Sequence, residues 1–162
     1  SFTSDEMLLF DNVGSSSLTR IFAKYNMKQK KNNWINNINF STIKNPIRQM
    51  IPLSKKNGII QFYSDWYFAD YWGSLNNEKT IKILTNMLQE TMYNKISKPD
   101  SIKKHYWKNA VHFWKANVNE KKIYKQIMFL RKNIFIVGES FSLNQGWGEG
   151  AIQTSIEVVN YL

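Results

Sequence analysis

The chain has 162 residues, 43% hydrophobic and 15% aromatic, which is one domain's length with enough apolar mass for a core and too much for a disordered tail. Its formal charge of +10 attracts nucleic acid, acidic membranes or acidic proteins; but Lys greatly outnumbers Arg, and scattered lysines such as Lys28, Lys30, Lys55, Lys103 and Lys121 suit a solvated surface better than a nucleic-acid reader. The absence of Cys excludes disulfides and cysteine-based zinc sites and fits an intracellular setting, while the wealth of Lys, Asn and Ile suggests an AT-rich genome.

The N-terminal "SFTSDEMLLF" lacks the basic region and small-residue cleavage site of a signal peptide, and no apolar run reaches the length of a membrane span. It also lacks an initiator Met, so the expectation is a chain that starts partway through a gene product or after processing. "LTRIFAKYN" (18–26) alternates apolar and polar residues and predicts a half-buried strand. The polar stretch 26–40 reads as a loop. "IRQMIPL" and "GIIQFYSD" are strand-like and flank "SKKNG", a turn of the length that joins antiparallel strands. "FADYWGSL" reads as a short helical piece. The best helix is 76–96, capped by Asn76 or Asn77, with Ile81, Leu84, Leu88 and Met92 on one face. "KPDS" breaks the chain, "IKKHYWKNAVHFWKANV" is dense in aromatics, "KKIYKQIMFLRK" predicts a short helix and "NIFIV" a buried strand.

The C-terminal "FIVGESFSLNQGWGEGAIQTSIEVVNYL" holds four of the chain's seven glycines: Gly138, Gly146, Gly148 and Gly150. It reads as a strand ending in Gly-Glu, a glycine-bearing turn, and an amphipathic helix with Ile152, Ile156 and Val159 on its inner face. A helix start presents backbone amides and a positive dipole end, suited to an anion or an electron-rich ring edge. Glycine admits a ligand close to the backbone, and Glu139 can accept hydrogen bonds from ribityl or ribose hydroxyls. Spacing alone favours an ordinary strand-to-helix connection over a cofactor loop, since this is not the N-terminal GxGxxG fingerprint.

The same segment resembles the C-terminal signature of the flavin-containing amine oxidase superfamily, which includes monoamine, polyamine and L-amino-acid oxidases. The residues that carry the resemblance are Gly138, Glu139, Gly146, Trp147, Gly150, Ala151 and Ser155. Upstream, "LTRIFAKYN", "GIIQFYSDWYFADYW" and "HYWKNAVHFWK" resemble substrate-domain segments in the same order. The resemblance implies that Glu139, beside Gly138, binds the ribose or ribityl region of FAD. It implies that the backbone at Trp147 and Gly148 faces the flavin, and that Gly146 is also part of the cofactor site. Trp147 and Trp114 would form the two walls of an aromatic amine cage, with Trp107 near the flavin; simple core packing is the other reading of Trp107 and Trp114. An aromatic cage attracts a cation yet tolerates the neutral amine that reacts.

Two positions depart from the family pattern. Arg20 stands where many members carry Lys, and Arg cannot be tuned as a base, so it is read as altering proton handling or binding a substrate carboxylate. Phe113 stands where some monoamine oxidases attach FAD through Cys, so FAD is expected to be non-covalent. The family's dinucleotide-binding unit is absent from this chain. The fold expected is α+β: residues 1–130 as part of a substrate-binding domain with a mixed or antiparallel sheet and helices, and 131–162 as the C-terminal strand and helix of an FAD-binding domain. The function expected is the C-terminal part of an FAD-dependent amine oxidase. Its partners are an amine substrate and the remainder of the FAD-binding domain, in the same or another chain. The alternatives are a non-enzymatic structural or virion-associated protein that keeps the fold, as in a large DNA virus, and, more weakly, a basic nucleic-acid-binding module. His105 and His112 lack a third ligand for a metal, Ser140 and Ser142 have no histidine near them in sequence for a hydrolase triad, and Asp65 and Asp70 read as loop caps.

Overall fold

A computed structural model describes residues 1–92 and 96–162. The fold is α+β, and the chain forms two compact units, one made of Ser17–Lys108 and the other of Ser1–Ser16 with Asn109–Leu162. Two strands pass from one unit's sequence into the other's: β1 (Val13–Lys24) and β5 (Ser101–Trp114).

The unit of residues 17–108 is built on a sheet of strand order β2-β3-β4-β1-β5, where β2 is Ser41–Thr42, β3 Gln49–Ser54 and β4 Ile59–Asp65. The pairs β2–β3, β3–β4 and β4–β1 are antiparallel. The β3–β4 hairpin arises as the sequence predicts. Gly58 takes φ +66° at its turn, where a Cβ would run into the Tyr25 carbonyl oxygen, so only glycine closes it without strain. In β1, Ile21 and Ala23 are buried, and the buried hydroxyl of Thr19 donates to the Ala69 carbonyl (2.8 Å). Between β1 and β2 the predicted loop contains a 3₁₀ turn at Lys30–Asn32 and a short helix α2 (Trp34–Asn37).

Two helices follow β4: α3 (Trp66–Ser74) and α4 (Asn77–Met92). Asn76 accepts from the Lys79 amide at the start of α4, and Leu84 and Leu88 are fully buried, as the pattern predicts. The remaining predicted turn of that helix, Tyr93 to Lys95, lies outside the described residues. Trp72 of α3 anchors the core formed with Ile21, Ile60, Phe62, Leu84 and Leu88. Asp65 does not cap α3 with its side chain; its carboxylate pairs with Arg48 Nε (3.0 Å) instead, and Asp70 accepts from the Tyr106 hydroxyl (2.8 Å).

In the other unit, α1 (Ser4–Phe10) begins with a reciprocal capping box between Thr3 and Glu6. Glu6 also binds Arg131, and the Arg131 hydrogen bond, followed by the Thr3 backbone amide, lowers its carboxyl pKa to about 2. Helix α5 (Glu120–Met128) is capped by Asn119 and buries Tyr124, Ile127 and Met128. Residues 133–137 do not form the predicted buried strand. An isolated bridge joins Arg131 to Ile134, the Ile136 amide bonds to the Met128 carbonyl, and Ile134 and Val137 are exposed. An apolar run becomes a strand only with a ladder partner, and among the described residues this one has only the isolated bridge.

The last helix, α6 (Gly148–Tyr161), forms where predicted but turns its other face inward. Gly150, Thr154 and Val158 are buried, whereas Ile152, Ile156 and Val159 are exposed. The two stripes are offset by two residues, about 200° around the helix. The small-residue stripe packs because it can approach the loop before the helix closely; the bulky stripe cannot. Among the described residues no helix is long and apolar enough to cross a membrane.

Candidate functional site

Gly138 ends the extended run with φ +139°, and its amide donates to the Thr154 hydroxyl of α6 (2.9 Å). That bond pins the start of the glycine loop to the helix that follows it. Glu139 opens a 3₁₀ turn (Glu139–Phe141). One carboxylate oxygen, Oε1, lies 2.5 Å from His112 Nδ1; the other, Oε2, accepts the Gly146 amide at 2.7 Å. Ser140 Oγ lies 3.0 Å from the same His112 nitrogen and 3.3 Å from Glu139 Oε1. The Gln145 side chain ties the Ser140 carbonyl (2.6 Å) to the backbone amide of Trp114 (2.7 Å). Two residues of β5 therefore hold both ends of the Glu139–Gly146 loop.

Trp147 is the N-cap of α6 and caps with its backbone alone; its ring is 74% exposed. A Cβ built on Gly138 or on Gly148 would meet open space, so a flat ligand can reach the main chain at both ends of the loop. Trp114 is half-buried: its indole N–H donates to the Ser142 carbonyl (3.0 Å), and its ring packs beside Tyr124, Met128 and Val158. The ring of Phe113 lies over Gly14.

Arg20 and Trp107 belong to the other unit. Arg20 is exposed on β1, and its guanidinium lies 5.5 Å from the ring centre of Tyr63, its partner across the ladder. Burial raises the Tyr63 phenol pKa, with Arg20 opposing and Asp65 adding to the rise. Trp107 is 43% exposed and stacks on His105, with ring centres 5.7 Å apart. Thus Gly138, Glu139, Gly146, Trp147, Gly148 and Trp114 fall in one unit around one loop, and Arg20 and Trp107 fall in the other.

This fold is found in a solved oxidase-type structure. The chain matches the crystal structure of a "putative protoporphyrinogen oxidase" from Exiguobacterium sp. 255-15 with a TM-score of 0.64 and 8% sequence identity, over 93% of this chain and 36% of that one. The likeness is one of fold, and this chain spans about a third of the matched protein's length. No family model and no curated protein matches the sequence.

Sequence reasoning weighed His112 only as a metal ligand, missed Gln145 and Thr154, and set Ser140 aside for want of a histidine. A histidine does stand beside Ser140 in space, 28 positions away in sequence. The three residues still do not make a hydrolase triad. Ser140 and Glu139 both meet Nδ1, whereas a triad needs the serine and the acid on opposite ring nitrogens. Among the described residues no group of three His, Cys, Asp or Glu could hold a metal ion.

Gly150 is the tightest point of the site. A Cβ there would press into Ser142 Oγ and the Asn144 carbonyl, far inside van der Waals contact. Gly150→Ala is expected to lose about 1–3 kcal/mol to overpacking, offset by about 1 kcal/mol of better helix propensity. The net cost is about 0–2 kcal/mol, with faster amide exchange in residues 139–146, read by a thermal melt beside hydrogen-exchange mass spectrometry. A variant that melts above the wild type would show that the loop moves freely away from α6.

Proposed function

We propose that this chain is the C-terminal part of an FAD-dependent amine oxidase that holds FAD non-covalently. The observation that carries the reading is the loop from Gly138 to Gly148, open at both glycines and carrying a fixed carboxylate at Glu139. These residues fit FAD: a bare backbone admits a ring edge, and a partly exposed carboxylate accepts a hydroxyl. The likeness of fold to an oxidase supports the same class.

In this reading residues 1–130 are part of the substrate-binding domain and 131–162 the C-terminal segment of the FAD-binding domain. Exposed Ile134, Val137, Ile152, Ile156 and Val159 are the surface that receives the remainder of that domain, from the same or another chain. The matched structure is long enough to contain such a remainder, since this chain covers only 36% of it.

Glu139 accepts a ribityl or ribose hydroxyl of the cofactor. The main chain at Gly146, Trp147 and Gly148 faces the ring, where the positive end of α6 favours negative charge. Trp147 and Trp114 are the walls that orient the amine, Trp107 stands near the flavin, and Arg20 anchors a carboxylate on the substrate. FAD, when bound, supplies the hydride acceptor for C–N oxidation and the route by which oxygen becomes peroxide. Water then hydrolyses the imine product.

Acid precipitation of the intact native protein is expected to release a yellow supernatant with flavin absorbance. The chain has no cysteine to retain the cofactor through a thioether. A colourless protein that FAD cannot reconstitute removes the oxidase reading and leaves a structural, virion-associated role.

A further inference from the structure

We infer that His112 is the positioning residue of the Glu139 carboxylate, and that it restricts Glu139 to accepting a single ligand hydroxyl on Oε2. The ligand's identity as FAD rests on the function proposed above; the rest is geometry within this chain.

A glutamate at a loop start has three side-chain torsions and would otherwise sweep a wide arc. Here both oxygens are tied. His112 Nδ1 is 2.5 Å from Oε1, and the Gly146 amide donates to Oε2 at 2.7 Å. A carboxylate oxygen only accepts, so Nδ1 carries the hydrogen, whether the ring is the neutral Nδ1–H tautomer or the imidazolium. Both side chains are about one-quarter exposed (25% and 26%), which strengthens the bond yet leaves the carboxylate reachable. His112 itself rides on β5, a rigid element, and the same strand holds Gln145 through the Trp114 amide.

The acceptor count then sets the ligand's geometry. A carboxylate has about four lone-pair sites. His112 and Ser140 fill those on Oε1, and Gly146 takes one on Oε2. One site remains, on Oε2. Glu139 therefore takes one hydroxyl end-on and does not straddle a vicinal diol with both oxygens.

The test measures FAD affinity of the intact protein by fluorescence quenching and amide exchange in peptides spanning 139–146. His112→Ala is expected to weaken FAD about tenfold, the scale of one charge-assisted hydrogen bond, and to speed exchange at Gly146. His112→Asn, whose Nδ2 can donate near the place of Nδ1, is expected to return affinity to within about threefold of wild type and to restore protection. In a Glu139→Gln background His112→Ala should add no more than about twofold, because the group it positions is already neutral. A thermal melt of each variant separates these effects from misfolding.

Wild-type affinity and unchanged Gly146 exchange in His112→Ala overturn the positioning role while the flavin reading stands. Fully additive losses in the double variant do the same. A wild-type protein that binds no FAD overturns the flavin reading and this ligand assignment together.

Discussion

Trp72→Ala is expected to destabilise the unit of residues 17–108 by about 3–5 kcal/mol, the cost of deleting a fully buried aromatic that its surroundings cannot refill. Trp72 is 1% exposed and packs in the core with Ile60, Phe62, Leu84 and Leu88. Its indole N–H also donates to the Pro46 carbonyl (2.6 Å), and its own carbonyl accepts from Lys104 Nζ (2.7 Å). Burial lowers the Lys104 pKa, and the lysine is held among the carbonyls of Trp72 and Leu75 and the Thr80 hydroxyl. Removing the ring thus loosens the place where α3 ends, next to a partly desolvated cation. Trp72→Phe separates packing from hydrogen bonding. Pro46 keeps the Ser64 hydroxyl (2.8 Å) as a second donor, so losing the indole N–H leaves no orphaned acceptor and costs about 0.5–1.5 kcal/mol. Urea unfolding should move the midpoint much further for Ala than for Phe at similar slope. Equal shifts for the two variants would assign the effect to the hydrogen bond and not to the ring.

The elements legible in the sequence were those whose signal is local. The β3–β4 hairpin announced itself through two apolar runs around Lys55–Gly58, and α4 through Leu84 and Leu88 one turn apart. Strand β5 was less legible because its aromatics do not alternate in and out: Tyr106 and Trp107 are both exposed. The capping box of α1 is a sequence pattern, Thr3 to Glu6, but the segment holds no buried residue to advertise a helix. The inward face of α6 could not be read at all from periodicity. The pattern of Ile152, Ile156 and Val159 fixes the helix, while the partner available in the fold fixes which side is buried. In the C-terminal loop the glycines and Glu139 lie within a few positions of one another, so the turn they form before α6 was legible. His112 was not, because it meets Glu139 from 27 positions away through a fold that no local pattern encodes.

Trp147→Ala and Trp114→Ala are expected to fail in different ways, although both residues were assigned to one cage. Trp147 is 74% exposed, so its truncation should change stability by no more than about 0.5 kcal/mol. If its face receives the amine, the loss of a desolvated cation–π wall costs on the order of 2 kcal/mol in the transition state, or roughly thirtyfold in kcat/KM. On the proposed reading bound FAD should remain at the wild-type level, because the flavin contact proposed at this position comes from the main chain. Trp147→Phe, which keeps a π-face, should recover most of the rate. Trp114 sits instead among Tyr124, Met128 and Val158, and its indole satisfies the carbonyl of the fully buried Ser142. Its truncation opens a cavity and orphans that acceptor, a loss of about 3 kcal/mol, with an early melt and weakened order around Gln145. Thermal melts, flavin absorbance and steady-state kinetics on the intact variants read all three quantities. Wild-type kcat/KM in Trp147→Ala would leave the cage without its exposed wall. A Trp114→Ala protein that melts early while its folded fraction keeps wild-type kcat/KM would leave Trp114 a packing residue and remove it from the cage.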